Sequence, residues 1–506
     1  MQFLNDLRHK AQALFDLGRL AEAQELLTSA VDAKMLHAGS WARARYLLGE
    51  IKTDLGLLDE AELLLHKAVD LGTQAGDDIL VARAWLALQF LEGVERENFS
   101  RSDEFARMAE LSFVRGRASE SNLASLKKAR AAVLMRNGKT VESVALLEEI
   151  LPLYVAEGVN LELANLLSAL GDAKVAEREL SEAVGHYRMA LAHIESLLGA
   201  NHPENIYVLN NMSVALKYQG DIEGAKDVLL RSLRLTEHGF GNTSISLVPI
   251  LTNLTSIYRR LGQLDAAEAA GRRAITVGDG IGGDYSHRVT LAMTNLAIVM
   301  ISKEEFSEAT ALFQKVLKRH QASFAGDHPS IASSLNNVGE SLVSEGKSAE
   351  AVAFLVQAME MKIRIYGKEH HKTASTYLTL AMAYEKVGND LEALKLYQQA
   401  LPIYSAAAGP DHARTNAVRS SIGHLQLGRN ETASAVRILS QAVESRGNDS
   451  SVEQGRDRFA LARGFWALGR KSESRKLAAS LEKSLAQDSG SEKLHRELVL
   501  WIETKR

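Results

Sequence analysis

An alanine recurs every 42 residues, at Ala183, Ala225, Ala267, Ala309, Ala351, Ala393 and Ala435, without one insertion or deletion. A fixed period of this length predicts a stack of equal units, each burying its apolar face on its neighbours. Seven residues after each alanine come Ala190, Ser232, Ala274, Val316, Ala358, Ala400 and Ala442, nearly all small. Twelve before it stand Ser213, Thr255, Ala297, Gly339, Ala381 and Gly423, again with little side chain. Small residues at these spacings let two antiparallel helices approach closely, while Leu229, Phe313, Leu355, Tyr397 and Leu439 fill the space between them. Gly220, Gly262, Gly346 and Gly388 fall at the turn within each unit. Each period is therefore expected to be a helical hairpin, and the stacked hairpins a solenoid.

Composition agrees and removes several function classes. Strand-like β-branched alternation is scarce and aromatic residues make up 6% of the chain, which points to an all-α fold. The net charge of -4 comes from interspersed signs rather than a basic stripe, so no nucleic-acid partner is expected. With no cysteine, the chain has no disulfide, thiolate metal site or cysteine nucleophile. The opening "MQFLNDLRHKAQALFDLG" carries scattered charge and no apolar core, so it reads as neither signal peptide nor membrane anchor. A cytoplasmic protein without a membrane partner is the expectation.

The spacing resembles the tetratricopeptide repeat. "LLGEIKTDLGLLDEAELLLHKAV" (Leu47 to Val69) carries its pattern through Gly49, Gly56, Ala61, Leu65 and Ala68, and "LAMAYEKVGNDLEALKLYQQAL" (Leu380 to Leu401) matches more fully. Looser copies run through Ala11, Leu14, Gly18, Ala23 and Ala30, and around Gly138 and Leu147; the stretch from Trp85 to Ala109 is off register at Gly93. The resemblance implies a right-handed superhelix of roughly eleven hairpins. Residues 1–160 read as more degenerate hairpins, 161–445 as the regular array, and 446–506 as a terminal hairpin with a capping helix, all in one continuous solenoid.

The extra length over the usual 34 residues lies where hairpins join, in "LLGANHPENIY", "FAGDHPSIASS", "YGKEHHKTAST" and "AGPDHARTNAV". Here a glycine ends one helix, and Pro203 and Pro329 suit the first position of the next. His202, His328, His370 and His412 occupy the same joins and are expected to cap or pack. This long variety is similar to the repeats of kinesin light chains, in which the concave groove lined by the first helices binds extended peptides.

Asn211, Asn253, Asn295 and Asn337 stand 42 residues apart, and the series ends at Thr379. In tetratricopeptide families this position faces the groove, which implies a grip on peptide backbone. A primary amide both donates and accepts, so it can hold any sequence. The same residues could instead bond between neighbouring hairpins and stiffen the stack; both readings stay open. Helical spacing adds Tyr218, Arg260, Glu340, Ser344 and Lys386 to the face, with Lys217 and Arg259 making it mildly basic. The lysine–asparagine carboxylate clamp of chaperone-binding repeats is not expected, because Tyr207, Pro249, Leu291 and Ser333 hold the places four before the asparagines.

No catalytic residues, metal ligands or cofactor site are expected. His370 and His371 are adjacent, so their side chains diverge on a helix, and no Glu-x-x-His pattern accompanies them. "GDGIGGDY" (Gly278 to Tyr285) lacks the Lys-Ser/Thr ending of a phosphate loop and falls at a join. No protein-kinase signature is present. Yet Ala82 to Glu110 and Gly455 to Lys483 resemble the repeat regions behind the catalytic domain of myxobacterial-type serine/threonine kinases. The reading is a non-catalytic scaffold that binds protein or peptide in its groove, in a bacterial signalling setting, with a serine/threonine kinase or its substrates among the implied partners. A regulatory region lacking its kinase domain is the first alternative. A solenoid that self-assembles, through Leu494 to Ile502, is the second; the sequence leaves the oligomeric state open.

Overall fold

The structure, a computed structural model, describes residues 38–54, 57–156, 158–280, 286–446, 451–486 and 490–505, together with Glu25, Leu26 and Thr28. The repeat copy expected at Ala11 to Ala30 and most of "GDGIGGDY" lie outside the described residues. Among those described there are 23 α-helices and no strand, and the chain divides into two compact units, residues 1–303 and 304–506.

The first unit holds hairpins α1 (Ala38–Asp54) with α2 (Leu58–Ala75), α3 (Asp78–Phe90) with α4 (Phe99–Arg115), and α5 (Glu120–Arg136) with α6 (Thr140–Ala156). The regular repeats follow as α7 (Leu161–Ala176) with α8 (Leu180–Leu198), α9 (Asn205–Gln219) with α10 (Ile222–Phe240), and α11 (Leu247–Arg260) with α12 (Leu264–Gly280), then α13 (Ser286–Ser302). The second unit opens with α14 (Phe306–Ser323) and continues as α15 (Pro329–Ser344) with α16 (Ser348–Tyr366) and α17 (His371–Lys386) with α18 (Asp390–Ala408). It ends with α19 (Ala413–Gly428) and α20 (Thr432–Arg446), α21 (Val452–Ala467) and α22 (Lys471–Leu485), and the single helix α23 (Glu492–Glu503).

The alanines at the 42-residue period are all fully buried, as are the fillers Leu229, Leu355 and Leu439. The positions twelve before them are small for a steric reason. A Cβ at Gly339 would lie 2.4 Å from Leu355 Cγ, one at Gly423 2.4 Å from Leu439 Cγ, and one at Gly171 2.6 Å from the Tyr187 ring. Each such filler, removed from water, contributes about 1.5–3 kcal/mol.

The turn inside each regular hairpin needs one residue in the left-handed region. Gly220, Gly262, Gly346 and Gly388 take it with φ of 95°, 73°, 85° and 79°; Arg178, Glu304 and Asn430 adopt it at the same register with φ of 64°, 63° and 62°. The register therefore holds even where glycine, which reaches this region without steric cost, is absent.

The off-register stretch has a local cause. A π-helical turn, Leu91–Glu95, extends α3, and Gly93 lies so close to Ser102 and Val133 that a Cβ would meet them at 2.5 and 2.7 Å. Arg96 and Arg101 converge there on Glu62 and buried Glu92. Pro329 opens α15 as expected, but Pro203 lies two residues before α9, in the turn that leads into it. At the carboxy terminus Leu494 and Leu498 are buried against α21 and α22, so α23 covers the end of its own unit and leaves Leu500 as its exposed large apolar residue.

Candidate functional site: the face of the first helices

In the first unit the odd-numbered helices of neighbouring hairpins touch one another, whereas the even-numbered ones barely meet. The odd helices therefore lie on the tighter, inner radius of the stack. Asn211, Asn253 and Asn295 sit on this face and are half-buried; Asn337, also half-buried, lies on α15 of the second unit.

In the first unit these side chains bond between hairpins. Asn211 Nδ2 donates to Asp172 Oδ1 at 2.9 Å, Asn210 Nδ2 to Asn211 Oδ1 at 3.2 Å, and Asn253 Nδ2 to Asn210 Oδ1 at 2.9 Å. Asn295 Nδ2 donates to the Thr252 carbonyl at 3.2 Å. An unbroken relay thus crosses α7, α9 and α11, each bond between helices donated to the preceding hairpin, and Asp172 is its final acceptor. Asp172 also accepts from the hydroxyls of Tyr187 at 2.6 Å and Tyr207 at 2.8 Å. Burial holds its carboxyl above the ordinary range, against the lowering effect of its three donors. Sequence reasoning missed Asp172, although it occupies the register of Glu340 four repeats earlier; stepping back from Glu340 by the period would have found it.

The second unit uses the adjacent asparagine. Asn336 is buried in α15 and its Oδ1 accepts from Thr376 Oγ1 of α17 at 2.8 Å, while Thr376 receives the Lys362 ammonium at 2.7 Å. Lys362 is only 6% exposed. Burial, with Lys372 nearby, lowers its pKa to about 8, and Glu340 opposes that shift. Glu340 itself is accessible, yet crowding by protein raises its pKa.

Of the other expected face residues, Tyr218 is 56% exposed, and the Lys217 ammonium sits 5.1 Å from its ring centroid. Arg260 and Lys386 are exposed at the ends of α11 and α17. Lys217 is half-buried, and desolvation together with Arg260 lowers its pKa. The joins also resolve chemically. The Nδ1 atoms of His202, His328, His370 and His412 accept from the backbone N–H two residues on, at 3.2, 3.2, 3.1 and 3.2 Å; His328, His370 and His412 thereby cap α15, α17 and α19, while His202 bonds within the turn that leads into α9. Among the described residues no group of three or more His, Asp or Glu side chains is placed to hold a metal ion, and no helix is long and apolar enough to cross a membrane.

Comparison with known proteins agrees with this architecture. A tetratricopeptide repeat family matches residues 162–238, 246–322, 288–364, 330–406 and 372–448, and a second one matches 9–76. The mouse (Mus musculus) mitochondrial tetratricopeptide repeat protein 19 is 24% identical over 221 residues, 42% of this chain and 56% of its own length, so the chain spans little over half of that relative. Among solved structures, apo RapI superposes with a TM-score of 0.52 at 11% identity, covering 72% of this chain and 97% of RapI. The nearly identical TPR-like repeats of a Podosopora anserina protein assigned as kinesin light chain give a TM-score of 0.37 at 21% identity, covering 40% and 98%. With family matches over more than half its residues and hairpins in the matching register, the chain belongs to the tetratricopeptide repeat family.

Proposed function

We propose that this protein is a non-catalytic scaffold whose inner face receives extended segments of partner proteins. The observation that carries this reading is the set of half-buried amides on the first helices, held in fixed orientation by bonds from hairpin to hairpin. Each relay bond uses one of the two N–H groups of an amide. Asn253 and Asn295 keep a second donor for a peptide carbonyl, and the groups that present it are already ordered, so little further entropy is lost on binding. Tyr218, Arg260, Glu340 and Lys386 differ from repeat to repeat and would supply sequence preference. A bacterial signalling setting beside a serine/threonine kinase rests on the sequence resemblance of residues 82–110 and 455–483, and copurification with such a kinase tests it.

The reading is tested by unbiased peptide-display selection against the wild type and against a variant with Asn211, Asn253, Asn295 and Asn337 changed to Ala, both checked for helicity and melting. A motif enriched by the wild type and lost by the equally folded variant is the expected result. Enrichment of one motif by both proteins would assign the asparagines to stacking alone.

A further inference from the structure

The inner face of the first unit carries three charged residues, one acid and two bases, that no ion pair among the described residues neutralises. Asp172 takes its three hydrogen bonds from neutral donors, Tyr187, Tyr207 and Asn211, with no Lys, Arg or His in ion-pair contact among the described residues. Tyr207, at the rim of this carboxylate, is 58% exposed. One hairpin on, half-buried Lys217 lies beside an aromatic ring and near Arg260, and no carboxylate among the described residues pairs with either cation.

Several other cations held in the structure have carboxylate partners, although buried Lys362 has a hydroxyl instead. Lys174 has Glu179 at 2.6 Å, Glu182 at 3.2 Å, Glu177 at 3.6 Å and Glu148 at 3.8 Å. Lys303 pairs with Glu268 at 2.5 Å and Asp265 at 3.0 Å, and Arg446 with Asp457 at 3.0 Å. Partly desolvated charge without a counter-ion is destabilising. Here an acid and two bases share one face on consecutive first helices, yet each stands alone. That arrangement is complementary to a ligand that brings both missing signs.

Resting on the groove reading above, we infer that the first unit selects an extended partner segment carrying a basic residue against Asp172 and Tyr207 and an acidic residue against Lys217 and Arg260. Packed helices lie about 8–10 Å apart, and an extended chain advances about 3.3 Å per residue. The two ligand charges therefore stand about three residues apart when the acid meets Lys217, and about six when it meets Arg260. The asparagine relay between the poles grips backbone, and the poles fix which way the segment runs.

The test is peptide-display selection against the wild type, Asp172→Asn, and the pair Lys217→Gln with Arg260→Gln, with folding checked by circular dichroism. The wild type is expected to enrich peptides in which a Lys or Arg and an Asp or Glu recur at a separation of three to six residues. Asp172→Asn should keep the acidic preference and lose the basic one, the paired variant the reverse, each weakening a selected wild-type peptide about tenfold. Should Asp172→Asn fail to fold, Lys217→Glu with Arg260→Glu, on more exposed positions, must convert the acidic preference into a basic one. A wild-type motif without this charge pair, or one unchanged in the variants, overturns the inference and leaves the groove reading standing. No enrichment by the wild type overturns both.

Discussion

The hydrogen-bond relays of the two units end in groups of opposite charge, Asp172 on the first helix α7 and Lys362 on the second helix α16. In the first, amides pass hydrogen bonds from Asn253 through Asn210 and Asn211 to the carboxylate of Asp172. In the second, a buried ammonium starts the relay, from Lys362 to Thr376 to Asn336. The shared register stacks the hairpins; the terminal group differs, an acid on the first-helix face of one unit and a buried ammonium within a hairpin of the other. A period can thus be conserved for packing while chemistry varies at one position per repeat, which is how repeat arrays separate stability from specificity.

The largest expected effect tests the packing that the units share. Tyr187 and Leu355 fill the same gap four repeats apart, so Tyr187→Ala should cost about 3–5 kcal/mol and Leu355→Ala about 2–5 kcal/mol, read by hydrogen exchange of their own hairpins. They part company at the hydroxyl. Tyr187→Phe removes a donor from Asp172 and should cost about 1–2 kcal/mol, a loss without counterpart at Leu355.

A second prediction uses pH to separate the relays. Lys362 has a native pKa of about 8 against an ordinary 10.5. Between those values the unfolded chain holds a proton that the native chain lacks, so stability of the second unit rises with pH across that window. Lys362→Met should abolish the slope and stabilise the unit by about 2–3 kcal/mol at pH 7. Asp172 behaves oppositely, since its native pKa lies above the ordinary 3.8. Its contribution is fully present below pH 3.8 and falls as pH rises through the native value, a slope that Asp172→Asn should remove. Urea unfolding across pH, followed by hydrogen exchange in each unit, reads both slopes; equal slopes in the two units would contradict the comparison.

The smallest effect is on the relay alone. Asn253→Ala deletes one inter-hairpin bond and should cost about 0.5–1.5 kcal/mol, with helicity retained.

Much of this architecture was legible in the sequence because close packing leaves a strict record. A residue that must be small against Leu355 or Leu439 recurs at the same place, and so does a left-handed turn. Where glycine gives way to Arg178, Glu304 or Asn430, the flanking register still identifies the turn. The π-turn at Leu91–Glu95 was visible only as a slip in the pattern, since Gly93 there packs closely against Ser102 of the next helix and Val133 of the next hairpin. The asparagine series was equally plain, but its partners were not. Asn211 reaches back 39 residues to Asp172 and Thr376 reaches back 40 to Asn336, offsets that depart from the period because the bonds cross between helices. Pairings of that kind follow from helix rotation and crossing, which a repeat pattern does not encode.

The central claim is that the face of the first helices receives the partner, and one titration tests it most directly. A peptide selected on the wild type is titrated into the wild type, into the variant with Asn211, Asn253, Asn295 and Asn337 changed to Ala, and into Met189→Glu, which alters a residue 47% exposed on the second helix α8. Loss of affinity by about tenfold or more in the asparagine variant, with Met189→Glu indistinguishable from the wild type, is the result this account predicts. Binding that survives loss of the four amides and fails in Met189→Glu would contradict it and move the receptor surface to the second helices.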